Sequence, residues 1–498
     1  MVDKAEDIIS GLDDEQRKAA TTILGPVVIV AGAGTGKTRT ITHRIAYACR
    51  TGEWISSQVM AVTFTAKAAK EMRERLEQLG IKNATVQTFH AAALGQLRHY
   101  WPKVVGTELP KLETNKIPHI MDAAKYHSLE LTKAEAQAIG DEIGWCKVSL
   151  IGPDEYEGQV AINSRTIAAP VNARLFAKLF SQYDNYKSER GLIDFEDVLL
   201  LMVHIISNYK EIREEIQNTY KHYIVDEYQD VSPLQQRLLE SWLGYSRELC
   251  VVGDPSQTIY SFTGATPHYL LSFQERFKPK FDTQKPAQRI NLINDYRSSP
   301  QIVKLANKVL SFHGKEGFEP LHLKSKAANL KHEVQWKVYQ DDTQEAKSVA
   351  KQIQQMLDSK TYRPQDVAVL ARTNLQLGSF NDELKSLGVD CYIKQDTGKL
   401  REDEQVNVPK TAGGVALVSL HSSKGLEWEC VFLVGLSDGQ IPISRAKDDY
   451  SIEEERRLLY VGITRAKQEL YMSFARGKYQ DGANKRARSR FLDRIWPA

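Results

Sequence analysis

Lys37 and Thr38 are the residues whose types and spacing point first to chemistry. They close the stretch VVIVAGAGTGKTRT, Val27 to Thr40. Ala33, Gly34, Thr35 and Gly36 form a turn small enough for successive backbone N–H groups to curl round an anion. The helix that follows adds its partial positive charge. Lys37 can reach the outer phosphates of a nucleotide, and the Thr38 hydroxyl can ligate Mg2+. This is the P-loop pattern G-x-x-x-x-G-K-[ST] with one departure, Ala31 standing where the first Gly is expected. It implies ATP and Mg2+ as cofactors. Arg39, beside it, is placed near the base or the phosphates.

Further along, YIVDEYQD (Tyr223 to Asp230) leads an apolar run into two consecutive carboxylates. At a strand end, Asp226 fits the acid that holds Mg2+ with Thr38, and Glu227 is placed to polarise an attacking water. ELCVVGDPSQTIYSFTGA (Glu248 to Ala265) reads as the next strand and its exit loop. Gln257 there is a candidate sensor of the γ-phosphate. Tyr260 and Phe262 lie two apart and share a face if the segment is extended.

The elements that must position these residues alternate in strand and helix. Strands are expected at Val27–Val30, Val59–Thr65 and Ala84–His90, with helices between. This is an α/β fold built on a parallel sheet. Ligands of such sheets sit beyond the strand C-termini. Thr63, Phe64, Thr65, Thr88, Phe89 and His90 occupy two of those ends, where aromatics can stack bases and hydroxyls can bond phosphates. From about Ala91 to Gly191 the pattern is helical, an all-helical insertion. LIDFEDVLLLM (Leu192 to Met202) returns to the parent domain with Phe195 facing the same groove. The second half reads as another α/β core, with strands expected at Val334–Tyr339, Val367–Arg372, Val415–His421, Cys430–Leu436 and Glu469–Ala475. It shows no second P-loop. Gln16, just upstream of the first strand, can read an adenine edge.

Composition narrows the classes. The 66 Lys and Arg nearly balance the 63 Asp and Glu, so a nucleic-acid surface must be a local groove. Five isolated cysteines with no C-x-x-C argue against a zinc or iron–sulfur site and for a reducing compartment. MVDKAEDIISGL has no apolar signal core, and no apolar run approaches membrane-spanning length. The compartment read from this is cytoplasmic, with no membrane partner.

AGAGTGKT, VTFTAKAA, TFH, DEYQD and GDPSQTIYSFTGA, in this order, resemble motifs I, Ia, Ib, II and III of the UvrD/Rep/PcrA group of superfamily 1 DNA helicases. INDYRSS (Ile293 to Ser299), VSLHSSKGLEW (Val418 to Trp428) and LLYVGITRAK (Leu458 to Lys467) resemble motifs IV, V and VI, and VAVLARTN (Val367 to Asn374) the segment after motif IV. GDPSQTIYSFTGA is nearest to the shorter UvrD paralogues of actinobacteria. The resemblance implies two RecA-like domains: 1A over 1–90 and 192–280, interrupted by the helical 1B over 91–191, and 2A over 281–498. It implies that Arg297 and Arg465 reach the γ-phosphate, that Tyr296 stacks on adenine while Gln16 reads its edge, and that Glu427 lies near the ribose. Phe64, Tyr260 and Phe262 become base-stacking candidates, with Thr63, Thr88, His90 and His421 as groove contacts. The group has Trp where Phe262 stands and Arg where Thr263 stands; Phe can still stack, whereas Thr263 lacks the charge.

Full-length members carry a large domain 2B between VLARTN and motif V. Here only about residues 376–414 are left for it, mostly polar, so 2B is reduced to a hairpin or loop. The tail from Arg476 to Arg494 holds seven basic and two acidic residues. The function implied is an ATP-dependent single-stranded DNA translocase and helicase, 3′ to 5′ by resemblance, in DNA repair or replication. Its partners are single-stranded DNA or single-strand/duplex junctions, and other repair proteins. The alternatives are a translocase that displaces proteins without efficient unwinding and a nucleotide-gated DNA-binding protein.

Overall fold

In the computed structural model, residues 2–162, 167, 169–279, 285–311, 318–327, 334–394, 413–477 and 485–497 are described. Their contacts sort the chain into two compact units. One is Met1–Ile29, Thr38–Val252 and Tyr260–Ile290; the other is Val30–Lys37, Gly253–Ile259 and Asn291–Ala498.

The first unit is built on a six-stranded sheet whose strand ends at 30–31, 253 and 291–292 count with the second. Its strands are β1 (Val27–Ala31), β2 (Val59–Thr63), β3 (Thr85–Thr88), β6 (His222–Val225), β7 (Leu249–Gly253) and β8 (Gln288–Leu292), in the order β3-β2-β6-β7-β1-β8. A separate short pair joins β4 (Lys111–Leu112) to β5 (Leu192–Ile193). β2 pairs in parallel with both β3 and β6, and β6 with β7. Val27–Ala31, Val59–Thr63 and Leu249–Gly253 are buried at every position. Such unbroken apolar runs suit strands covered on both faces, and β-branched side chains pack well on the pleat.

Two of the expected strands end early. β2 stops at Thr63 because Thr65 accepts from Ala68 N and starts helix Ala66–Gln78. β3 stops at Thr88, which accepts from Ala91 N and caps helix Phe89–Val105. Phe89 and His90 therefore begin a helix rather than end a strand. N-capping by threonine explains both junctions, since its hydroxyl satisfies an N–H that has no helical partner.

Helix Phe89–Val105 packs on helix Phe195–Asn208, so the boundary expected at residue 90/91 falls inside an unbroken helix. Helices Ile117–Tyr126, Lys133–Val148, Tyr156–Ile162 and Ala173–Glu189 have their own core, with Ile120, Ile139, Ile143, Tyr156, Phe176, Phe180 and Tyr183 packed together. The region expected to be all-helical also contributes β4.

The second unit has its own six-stranded sheet. β11 (Gln335–Tyr339), β12 (Val367–Ala371), β13 (Cys391–Ile393), β14 (Val415–Ser419), β15 (Trp428–Leu433) and β16 (Ala466–Ala475) lie in the order β11-β16-β15-β12-β14-β13, and every pairing is parallel. β9 (Asn294–Asp295) and β10 (Lys324–Ser325) form a further parallel pair. Helices Asp342–Asp358 and Asn374–Ser386 bury Val349, Ile353, Leu377 and Phe380 against Val367, Val369, Leu417 and Phe432. The alternate residues Leu370, Val418, Val431 and Leu433 are buried too, as expected of a sheet with helices on both faces. β13 was not anticipated from the sequence. Residues 395–412, the middle of the stretch expected to replace domain 2B, lie outside the described residues.

Phe176 is fully buried at the centre of the helical core. Phe176→Ala should cost about 3–5 kcal/mol of that region's stability. The loss should be read as an earlier urea transition by tryptophan fluorescence, Trp145 being packed against the same cluster.

Candidate nucleotide and nucleic-acid site

The P-loop residues Val30–Lys37 belong by their contacts with the second unit. Thr35 is 1% exposed and its hydroxyl donates to Gly32 O at 2.8 Å, which pins the loop from inside. Tyr296 N donates to Gly34 O at 3.0 Å. Gly34 has φ +70°, and a Cβ there would lie 2.1 Å from Asp295 Oδ1 and 2.9 Å from Arg297 Cβ. Both the dihedral and the approach demand glycine. Ala33 is buried, and Lys37 heads helix Lys37–Arg50.

Asp295 holds the segment that lies on this loop. Its Oδ1 accepts from Arg297 N at 2.7 Å and Ser298 N at 3.0 Å. Its Oδ2 is buried without a hydrogen-bond partner among the described residues, and burial pushes the carboxyl up. Tyr296 is 48% exposed, as a ring available to a base would be. Arg297 pairs with Glu427 at 2.5 Å, and Glu427 also takes Lys467 at 3.1 Å. Burial would raise the Glu427 carboxyl, but Arg297 and Lys467 outweigh it and hold it below the usual carboxylate range. Arg465 is 2% exposed; its Nε donates to Val461 O and its Nη1 to Leu426 O.

The segment Gly253–Ile259 is held in the same unit by three side chains that sequence reasoning missed. Lys424 Nζ donates to Gln257 O at 2.8 Å, Arg457 Nε to Thr258 O at 2.8 Å, and Tyr460 OH to Asp254 Oδ2 at 3.4 Å. Gln257 Nε2 donates to that same Asp254 oxygen at 2.7 Å, so its amide is turned inward. All three sit inside or beside HSSKGLEW and LLYVGITRAK, which was the only available signal. Three residues from Lys424, His421 faces Arg372, which makes a bidentate pair with Glu455. Burial, then the charges of Arg372, Arg445 and Lys424, bring His421 down to about 3.

The remaining candidates lie in the first unit. Asp226, at the end of β6, accepts from Glu227 N at 2.9 Å. Glu227 has φ +51°, a backbone conformation that costs a non-glycine residue energy and is met often at functional positions. Its carboxylate takes a hydrogen bond from Gln229 Nε2. Thr38 lies in the first turn of its helix, and Arg39 Nη2 donates to Gly11 O at 2.9 Å. Gln16 is 2% exposed and closes a capping box with Asp13.

Among the nucleic-acid candidates the structure corrects several expectations. Phe89 is 1% exposed and stacks on Trp242, so its ring is core and out of reach of a base. Thr63 is buried and its hydroxyl donates to Thr65 O, while the Thr65 and Thr88 hydroxyls serve as helix caps. Phe64 is half-buried. Tyr260 and Phe262 do not share an extended face: Ser261–Thr263 is a 3-10 turn, which sets their rings edge to face at 6.1 Å. Phe262 is 57% exposed. His90 and Phe195 do come together, stacked at 3.8 Å.

Comparison with known proteins places this arrangement. Residues 12–278 match the UvrD/REP helicase N-terminal domain, and residues 290–404 and 396–477 match the UvrD-like helicase C-terminal domain. The chain belongs to the UvrD/REP helicase family, whose members are DNA-dependent ATPases. Among its relatives are the ATP-dependent DNA helicases UvrD2 of Mycobacterium bovis and Mycobacterium tuberculosis, 36% identical over 99% of this chain and 83% of theirs. The ATP-dependent DNA helicase PcrA of Bacillus subtilis is 24% identical over 98% of this chain and 86% of its own. Among the described residues, no helix is long and apolar enough to cross a membrane.

Burial holds His90 down to about 3, as it does His421. A folded value below the ordinary 6.5 means the stability tied to neutral histidine is complete above pH 6.5 and is lost as the pH falls toward 3. Each such group should withdraw at most about 1.4 kcal/mol per pH unit below 6.5. His90→Gln should flatten the fall in melting temperature between pH 6.5 and 5, measured by differential scanning fluorimetry.

Proposed function

We propose that the chain is an ATP-dependent single-stranded DNA translocase and DNA helicase, moving 3′ to 5′ and acting in repair or replication. Lys37 and Thr38 bind the phosphates and Mg2+ with Asp226. Glu227 polarises the attacking water, Gln257 reads the γ-phosphate, and Arg297 and Arg465 stabilise charge as the phosphoryl group leaves. Tyr296, Gln16, Arg39 and Glu427 hold the nucleoside. Phe64, His90, Phe195, Tyr260, Phe262 and His421 form the groove for DNA, entered by single strands or at single-strand/duplex junctions. Closure of a cleft between the two α/β halves on ATP binding, and its reopening after hydrolysis, converts turnover into stepping.

One observation carries this reading. The P-loop, the Gly253–Ile259 segment, the Asp295–Arg297 segment and Arg465, just past the end of helix Asp449–Ile463, all belong to one unit. Phosphoryl transfer needs positioned cations more than covalent chemistry, and an arginine supplied to the γ-phosphate is worth about 10³–10⁵ in rate. The Arg297–Glu427 pair leaves the arginine in reserve, to be drawn off by a more concentrated negative charge.

The domain reading, 1A, 1B and 2A without a full 2B, is also a proposal. The C-terminal family match breaks at 396–404, and the alignment with UvrD2 runs over 594 positions against a chain of 498 residues. Both favour a deletion where 2B stands in longer relatives. This supports the second reading, a translocase that clears proteins from DNA and unwinds weakly without a partner protein.

Glu227→Gln tests the central assignment. It should retain ATP and single-stranded DNA binding while DNA-stimulated hydrolysis falls about 10²–10⁴-fold. Hydrolysis at the wild-type rate would remove Glu227 from the mechanism. Lys37→Ala should abolish stimulated hydrolysis in the same phosphate-release assay.

A further inference from the structure

A buried ionic cluster lies where three helices of the first unit converge. Lys147, in the last turn of helix Lys133–Val148, bonds Asp184 and Asp194 at 2.8 Å and Asp197 at 2.7 Å. Lys187, in the last turn of helix Ala173–Glu189, reaches the same three carboxylates: Asp194 at 2.7 Å, Asp184 at 3.0 Å, and Asp197. Tyr183 OH donates to Asp194 at 3.0 Å, and Lys116 pairs with Glu196 alongside. The three aspartates are near enough to one another to hold a metal ion, but the two ammoniums already bond all of them.

Lys147, Lys187 and Asp194 are at most 4% exposed. Burial alone would push the Asp194 carboxyl up; Lys147, Lys116 and Lys187 hold it well below its ordinary value. Burial would likewise lower Lys147, and Asp194, Asp197 and Asp184 keep it well above. Such a network is rigid because breaking any one member strands a buried charge.

What the cluster grips is the start of helix Phe195–Asn208. Asp194 is its N-cap, accepting from Asp197 N at 3.0 Å, and Asp197 returns the bond to Asp194 N at 2.9 Å. Phe195 stands between Asp194 and Glu196 in the chain, is half-buried, and its ring lies on His90. Among the described residues His90 Nε2 is buried with no hydrogen-bond partner, and its imidazole stacks on Phe195. The residue after Lys147, Val148, supports a second aromatic pair. A Cβ on Gly264 (φ +88°) would lie 2.5 Å from Val148 Cγ2, and Gly264 closes the turn bearing Tyr260 and Phe262.

We propose that Lys147 and Lys187 are positioning residues for DNA binding. The last turn of helix Lys133–Val148 fixes Phe195 through the ionic cluster and the Tyr260–Phe262 turn through Val148. It thereby sets the spacing of two aromatic platforms that take successive unstacked bases. The helical region is then a brace for the groove and not only a separate lobe. This rests on the reading of Phe195 as a DNA contact.

The test is a double-mutant cycle on the full chain, with affinity for a labelled oligothymidylate measured by fluorescence anisotropy. Phe195→Ala alone tests the underlying reading, and unchanged affinity there would overturn that reading and the proposal with it. Lys147→Met should weaken binding about tenfold in the wild-type background and less than about twofold in Phe195→Ala, since the cluster would then have no ring to position. Hydrolysis without DNA should be unchanged. Equal losses in both backgrounds would show a structural role only and overturn the proposal. Should Lys147→Met fail to fold, Lys187→Met with Asp194→Asn removes one charge of each sign and keeps the cap. Wild-type DNA affinity in that variant would be equally fatal.

Discussion

The bare backbone of Gly34 is the constraint on which the rest depends. This loop carries another segment on its surface. The Asp295 carboxylate occupies the space a side chain at 34 would fill, and Tyr296 N bonds the Gly34 carbonyl. Any residue with a Cβ would push away the turn that carries Tyr296 and Arg297. The loop therefore seats Tyr296 and Arg297, the residues proposed to meet the nucleotide, directly on its own backbone.

From that contact the structure runs outward through polar side chains rather than through apolar packing. Asp254 takes both Gln257 and Tyr460, while Lys424 and Arg457 hold the carbonyls of Gln257 and Thr258. Lys424 lies three residues from His421, whose neighbour Arg372 is fixed by Glu455. Such a chain has discrete arrangements, because each donor must find another acceptor if it moves. Gln257 is thus tied through Lys424 to the segment that carries His421. The Arg297–Glu427–Lys467 group offers a second exchange of partners of the same kind.

Much of this was legible in the sequence, for identifiable reasons. Val27–Ala31, Val59–Thr63 and Val367–Ala371 are unbroken apolar runs, and buried parallel strands have no other pattern. Lys37, Thr38, Asp226 and Glu227 stand in short motifs whose spacing suggests their roles, whereas Tyr296, Arg297, Glu427 and Arg465 were reached only through the family resemblance. Illegible were the features set by competition or by distance along the chain. Thr65 and Thr88 could have continued a strand, and their capping of the following helices decided otherwise; this sent Phe89 into the core. Gly264 closes the Tyr260–Phe262 turn with no room for a Cβ against Val148, more than a hundred residues earlier. Nothing in the sequence singles out Lys147 and Lys187, and only the fold brings Asp194 between them.

The account stands or falls on a coupling between nucleotide and DNA. Its most direct measure is the affinity for a labelled single-stranded oligonucleotide with and without a saturating non-hydrolysable ATP analogue. A change of about fivefold or more is expected, and DNA should change the analogue's affinity by the same factor, as linkage requires. Identical affinities in the two states would contradict it: the side chains joining the P-loop, Gln257 and His421 would then be structural, and hydrolysis could not drive movement along a strand through them.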